Sequence, residues 1–251
     1  MSAKTVAFGI EPGRRARYRL RLAKYYAIGE FIGQWARDLS HHCPAPAIID
    51  VGGDEGRVFR YIEAFLGEEK FRGTIVDLFP KGTDRVYQKE RRELVRTDLN
   101  FGLPMFGPAT FDIAICEQVL EHLVHPEILV AEMHRILKPG GLGIFGVPSF
   151  PPGFPWIRGH VVKWIDRRAT RTRGHIRAFS LNSFSQMVAR CGPWQFLAKR
   201  GFRFVSGGPL RPLENHRWWW LCNRWLGAQL PSLCIEVQLV VRKTLDPPLA
   251  P

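Results

Sequence analysis

No apolar run in the sequence approaches the roughly 20 residues that a membrane-spanning helix needs. An apolar signal-peptide centre is missing as well, because residues 11–24 carry six basic side chains. The five cysteines (Cys43, Cys116, Cys191, Cys222 and Cys234) are odd in number and scattered. No C-x-x-C spacing occurs among them, which excludes a zinc knuckle or a redox dithiol and leaves buried free thiols as the expectation. Internal repeats, low-complexity tracts and a phosphate-binding P-loop are absent too. These absences lead us to expect a soluble, cytoplasmic chain that is not exported by the standard route.

Acidic residues are the other scarcity: 23 Asp and Glu stand against 36 Lys and Arg, for a net charge of +13. Location gives that number its meaning. Residues 1–49 hold 8 basic side chains against 3 acidic, and residues 157–251 hold 16 against 4. Residues 50–156 hold 12 against 16 and are mildly acidic. Basic flanks around an acidic centre suit an anionic partner such as a membrane surface, a phosphorylated substrate or nucleic acid, or simply an arginine-rich surface.

At 251 residues and 45% hydrophobic, the chain can bury the core of one large domain with an appendage. Residues 1–46 read as a basic amphipathic helical segment, and residues 47–251 as one domain. Lid-like segments are expected at about 148–178 and 207–234. Within the domain, short apolar runs alternate with helical spacing, the pattern of a parallel sheet covered by helices. Ala47 to Val51 is a strand, and Val58, Ile62, Phe65 and Leu66 share one face of a helix that stops at Gly67. Gly73 to Val76 is a second strand ending at Asp77, and Leu94-Val95 a third leading to Asp98. Phe111 to Cys116 is a nearly continuous apolar run, as a strand buried on both faces should be. A helix with Leu129, Met133, Ile136 and Leu137 inward stops at Lys138-Pro139-Gly140-Gly141, with Lys138 as a cation in its last turn. Leu142 to Val147 is a fifth strand. Ser180 caps a helix with Phe184, Val188 and Cys191 inward. Phe202–Val205 and Ile235–Val241 read as closing strands, and Ile157, Val161, Trp164, Ile165 and Arg168 recur at helical spacing.

The chemistry gathers at Asp50-Val51-Gly52-Gly53-Asp54-Glu55-Gly56, a strand-to-helix turn. Glycines there let a ligand approach the backbone, and the helix N-terminus supplies free N–H donors. Asp77 ends the next strand, where a carboxylate can accept both hydroxyls of a ribose. With Asp98 after the third strand, the constellation suits an adenosine-type cofactor. A dinucleotide fingerprint counted from Gly52 fails at Asp54 and Arg57. Gly141-x-Gly143-x-x-Gly146 follows a helix instead of a strand and is set aside.

Residues 47–147 resemble a class I S-adenosylmethionine-dependent methyltransferase, of the group that includes small-molecule and ubiquinone-type enzymes. Asp50 to Gly56 is similar to the first motif of that family, Asp77 to its ribose-binding acid, and Asp98-Leu99 to its adenine-side position. Phe111 to His122 and Leu137 to Gly141 are similar to its fourth strand and its post-helix turn, and Gly174-His175-Ile176-Arg177 to Phe184 to a later stretch. The resemblance implies a doubly wound, mostly parallel α/β sheet of seven strands, a Rossmann-like fold. It implies S-adenosylmethionine bound through Asp50, Gly52, Gly53, Gly56, Asp77, Leu78, Asp98, Leu99 and Glu117, with no metal. Asp54 stands where the family pattern has glycine. It either points outward, contacts the cofactor amino group, or weakens binding by repelling the cofactor carboxylate.

A hydroxyl of a small molecule, sugar or lipid-linked intermediate is the expected methyl acceptor. His122, His125, His160 and His175 are candidate bases, with His122 favoured because it follows the fourth strand. Glu121 reads as a solvated helix residue. Residues 12–39 read as one helix, with Tyr18, Leu22, Tyr25, Ile32 and Trp35 on a stripe that covers the active site. Alternatively Arg14, Arg15, Arg17, Arg19, Arg21 and Lys24 meet anionic headgroups, and Trp218-Trp219-Trp220 with Trp225 sit at a membrane boundary or pack as a lid. RNA methylation is less favoured, since no RNA-binding module and no amino-group methyltransferase tetrad is present. A non-catalytic scaffold is the remaining alternative, and the oligomeric state is open.

Overall fold

The computed structural model of the protein describes residues 20–38, 45–54, 56–67, 70–78, 92–149, 176–204, 206 and 208–244. Seven strands form one sheet: β1 (Ala47–Val51), β2 (Arg72–Asp77), β3 (Arg92–Arg96), β4 (Phe111–Glu117), β5 (Leu137–Pro148), β6 (Trp194–Phe202) and β7 (Glu236–Lys243). Their order across the sheet is β3-β2-β1-β4-β5-β7-β6. The first five pair in parallel, whereas β7 lies antiparallel between β5 and β6. The chain leaves β1 toward β2 and β3, then returns to lay β4 on its other side. That reversal opens a crevice at the carboxyl ends of β1 and β4, where ligands bind in open α/β sheets.

Helices cover both faces of the sheet. On one face α1 (Ala23–Asp38) and α2 (Arg57–Leu66) bury Ile28, Ile32, Val58 and Ile62 against Ile48, Ile75, Ile113 and Ile144. On the other, α3 (Pro126–Ile136) and α4 (Leu181–Arg190) bury Leu129, Met133, Phe184 and Val188 against Ile49, Ala114, Phe145 and Leu239. This double coverage is why β1, β2 and β4 read as continuous apolar runs. Ser180 caps α4 through a reciprocal capping box with Ser183.

Three expectations need correction. The closing strand expected at Phe202–Val205 runs from Trp194 to Phe202, where it pairs in register with β7. It is an edge strand with half-buried side chains, so its alternation is too weak to read. Lys138 does not serve the end of α3. It is already in β5, and its ammonium donates to both carboxylate oxygens of Asp112 at 2.8 and 2.9 Å. A register shift between Phe111 and Ile113 absorbs the Lys138–Gly141 turn within the strand. The N-terminal helix begins at Ala23 after a 3-10 turn at Leu20–Leu22.

The expected helix around Ile157, Val161, Trp164, Ile165 and Arg168, most of the 148–178 lid, and residues 12–19 lie outside the described residues. The segment expected as a second lid contains α5 (Arg217–Gln229). Its inner face presents Trp220, Asn223 and Gly227, and Tyr26 of α1 meets the Trp220 ring edge-on at 5.3 Å. At Gly227 the helix lies directly on the β6 backbone, and a Cβ there would collide with the Gly201 carbonyl. Among the described residues, no helix is long and apolar enough to cross a membrane. Replacing Gly227 with Ala is expected to lift α5 from β6 and lower unfolding free energy by about 1–3 kcal/mol in chemical denaturation.

Candidate active site

The turn after β1 is shaped by what it cannot hold. Gly52 lies at φ +75°, and a Cβ there would run into the Val119 side chain. A Cβ on Gly53 would fall against the Asp50 carboxylate. Asp54 adopts φ +43°, a left-handed conformation that aspartate tolerates better than most residues. This conformation lets an aspartate replace a glycine in the turn. Its N–H donates to Asp77 Oδ2 at 3.0 Å, tying the turn to the end of β2. Gly56, at φ +60°, then opens α2. A cavity of about 160 Å3 lies over this turn, lined by Tyr25, Asp50, Gly52, Gly53, Asp54, Arg57, Val58 and Glu117.

A buried polar cluster continues from the cavity along the carboxyl ends of β4 and β5 and the amino end of the antiparallel β7. Glu117 closes β4, and Gly146 of β5 leaves the space its carboxylate occupies. Gln238 donates to Glu117 Oε1 at 2.6 Å. Lys24, from α1, lies 3.8 Å from Glu117 Oε2 and 3.4 Å from Glu236 Oε2. Arg203 pairs with Glu236 Oε1 at 2.7 Å. Glu121 Oε1 and Oε2, Ser149 Oγ and Gln238 Oε1 are buried without a hydrogen-bond partner.

The structure brings most of the candidate residues to this edge, but not all into the cavity. Asp50, Gly52, Gly53 and Glu117 line it, and Gly56 and Asp77 flank the same turn. Leu78 follows Asp77 and is exposed, whereas Leu99 is buried. Asp98 caps the turn at Leu99–Phe101, accepting from Asn100 N and Nδ2 at 2.9 Å each, and these bonds hold its carboxyl below the usual range. His122 is 40% exposed, with Nε2 3.8 Å from Glu121 Oε1. His125 sits outward beside Glu127, while His160 and His175 lie outside the described residues.

Two readings are overturned. Glu121 is not solvated but buried at 1% exposure, and its carbonyl accepts from the N–H groups of Ile176 and Arg177 at 2.9 and 3.1 Å. Lys24 cannot meet headgroups, because it is buried at 7% exposure and turned into the acid cluster; Arg21 remains exposed. Lys24, Glu236, Gln238 and Gly146 were missed as site residues. Signals existed: Lys24 interrupts the apolar Leu22–Ile28 stretch, and Glu236 and Gln238 recur at period two on one face of an apolar strand.

Burial pushes the Asp50 carboxyl up to about 8, helped by the charges of Glu117 and Asp77. Burial lifts Glu117 to about 7 despite the opposing pull of Lys24 and Gln238. Glu121 rises to about 7, again through burial, against its own backbone N–H and Lys24. Burial alone would lower the Lys24 ammonium, but Glu236 and Glu117 outweigh it and raise its pKa. The three carboxyls start from 3.8 and 4.5, so between about pH 5 and 8 the folded state binds more protons than the unfolded chain. Their contribution to stability is complete below the lower values and lost as pH rises through 7 to 8. The melting temperature of the ligand-free protein is therefore expected to fall from pH 5.5 to pH 8.5, and Glu117→Gln to flatten that fall, in scanning calorimetry.

Comparisons with known proteins agree with this geometry. The sequence matches the family described as "Methyltransferase domain" over residues 17–192. No curated protein matches the chain. Among solved structures, the YcgJ protein from Bacillus subtilis superposes with a TM-score of 0.57 at 15% identity, covering 87% of this chain and 98% of that one. The 1,6-didemethyltoxoflavin-N1-methyltransferase of Burkholderia thailandensis, with S-adenosylhomocysteine bound, gives 0.53 at 15% identity, covering 88% and 79%. An arsenic(III) S-adenosylmethionine methyltransferase from Chlamydomonas reinhardtii gives 0.51 at 17% identity, covering 82% and 66%. With the family matched over most of the chain, the strand order in place and the acids set at the strand ends, this protein belongs to the methyltransferase domain family and is a class I S-adenosylmethionine-dependent methyltransferase.

Proposed function

We propose that the protein methylates a hydroxyl oxygen of a small molecule, sugar or lipid-linked intermediate. One observation carries this reading: the acid-lined cavity at the β1 turn runs into a buried cluster rich in unpaired hydrogen-bond acceptors. Asp50 and Glu117 lie where the ammonium and sulfonium of S-adenosylmethionine bind, and those positive charges favour the ionised carboxylates once the cofactor is in place. The Gly52–Gly53 backbone and the first turn of α2, with Arg57, hold the cofactor carboxylate. Asp77 accepts from the ribose hydroxyls, and Leu78, Asp98 and Leu99 form the adenine side. The sulfonium is itself an activated methyl donor, so the protein's main task is to align the acceptor.

The unpaired atoms of Glu121, Ser149 and Gln238 include four oxygens able to accept. A buried acceptor without a donor costs roughly 1–3 kcal/mol, so a ligand that brings several hydroxyls is favoured there. His122 is the proposed base for the reacting hydroxyl, oriented by Glu121 at 3.8 Å.

Calorimetric titration is expected to give one S-adenosylmethionine site, weakened about tenfold or more in Asp77→Ala. Asp54→Gly should keep or improve that affinity, and a large loss would make Asp54 a ligand. His122→Ala should reduce turnover about a hundredfold or more with cofactor affinity unchanged, measured as S-adenosylhomocysteine release with hydroxylated acceptors. Release supported by RNA, and suppressed steeply by salt, would replace this reading with nucleic-acid methylation.

A further inference from the structure

The inner face of α5 is fully used by packing. Its outer face is not. Trp218, Leu221 and Trp225 recur at spacings of three and four and are 56%, 46% and 63% exposed. At 100° per residue they stand about half a turn from Trp220, Asn223 and Gly227, the residues buried against Tyr26 and β6. Leu230 and Leu233, past the helix end, are also exposed, at 42% and 39%. Three large apolar side chains, two of them indoles, on one helix face form a patch of the kind that marks an interaction surface.

Charge decides which partner fits. Of the six basic side chains in residues 191–235, Arg203 and Arg224 are matched by Glu236 and Glu30 and Arg200 is turned to the Ala27 carbonyl, but Glu214 is the only acid in that stretch of sequence and α5 itself has none. Lys199 stands exposed on the neighbouring strand β6, and Arg217 and His216 are exposed at the start of α5. A second copy of this basic face would meet it with like charge. An anionic bilayer would meet it with opposite charge, while indoles prefer the boundary between headgroups and acyl chains. The helix is also held firmly from behind, since Arg224 pairs with Glu30 of α1 at 2.6 Å and Gly227 sits on the Gly201 backbone. A patch fixed on the folded domain needs no further ordering when it docks.

We propose that the outer face of α5, through Trp218, Leu221 and Trp225, seats the protein on an anionic lipid surface. The two indoles and Leu221 enter the interface, while the surrounding arginine and lysine side chains face the headgroups. Docking of this kind would let the enzyme take a lipid-linked acceptor from the membrane plane. The docking itself rests on the exposed face alone and not on the identity of the acceptor.

The test is co-sedimentation of the purified full chain with phosphatidylcholine vesicles, with and without about one-third phosphatidylglycerol. Binding is expected on the anionic vesicles, weaker binding on pure phosphatidylcholine, and a severalfold decrease with added salt. The double variant Trp218→Ser/Trp225→Ser should lose about tenfold or more of the anionic-vesicle affinity. Both side chains are exposed, so the variant should keep its melting temperature and its S-adenosylmethionine affinity, which separates lost docking from lost folding. No binding to anionic vesicles, or equal binding by the variant, overturns the proposal. Concentration-dependent self-association that the variant abolishes, without vesicle binding, would assign the face to a second copy. No acceptor is needed, so failure here and failure of the hydroxyl-methylation reading are separate results.

Discussion

An ammonium group in a nearly dry interior has to be matched by negative charge, and Lys24 is matched twice, by Glu117 and by Glu236. These partners come from α1, β4 and β7, elements far apart in sequence. Gln238 and Arg203 complete the arrangement, each taking one carboxylate oxygen. Without the lysine, the carboxyl edge of the sheet would hold several acids with little to offset their mutual repulsion. With it, the same acids remain poised, part protonated near neutrality, beside the cavity. The helix that stands before the sheet in sequence is thereby built into the site.

The two halves of the sheet divide the labour. Parallel strands β1, β2 and β4 are buried on both faces and set the positions of Asp50, Asp77 and Glu117 at their ends. The antiparallel pair β7–β6 contributes Glu236, Gln238 and Arg203 from the opposite side. Gly146 is where these two halves touch, since only a bare backbone lets the Glu117 carboxylate lie across β5. The glycine spacing in β5 thus has a role unrelated to a dinucleotide.

Local features were legible in the sequence, and features made by distant pairing were not. The Gly52-Gly53 turn, Asp77 and Glu117 announce themselves because glycines and acids punctuate apolar runs within a few residues. The central strands are equally plain, as both of their faces are dry. Strand β6 was misplaced because one edge strand with half-buried side chains carries little alternation. Lys24 read as a surface cation because its neighbours upstream are basic, and nothing nearby points to Glu117. The Gln238–Glu117 bond spans 121 residues, a distance over which periodicity says nothing. Glu121 looked like an ordinary charged helix residue until Ile176 and Arg177 were seen folding over it.

Among the described residues, four other than glycine adopt positive φ, and three of them follow strands at this same edge: Asp54 after β1, Gln118 after β4 and Arg203 after β6. Such conformations cost on the order of 1 kcal/mol or more apiece. Gln118 adds a buried side-chain amide nitrogen without a partner. The opposite end of the sheet carries only Ala109 in this class, among the described residues. Conformational tension is therefore distributed unevenly, concentrated on the rim where a substrate would be gripped. Glycine at Gln118 or Arg203 would relax the backbone and loosen the side chain it now aims, so robustness and grip pull this enzyme in opposite directions there.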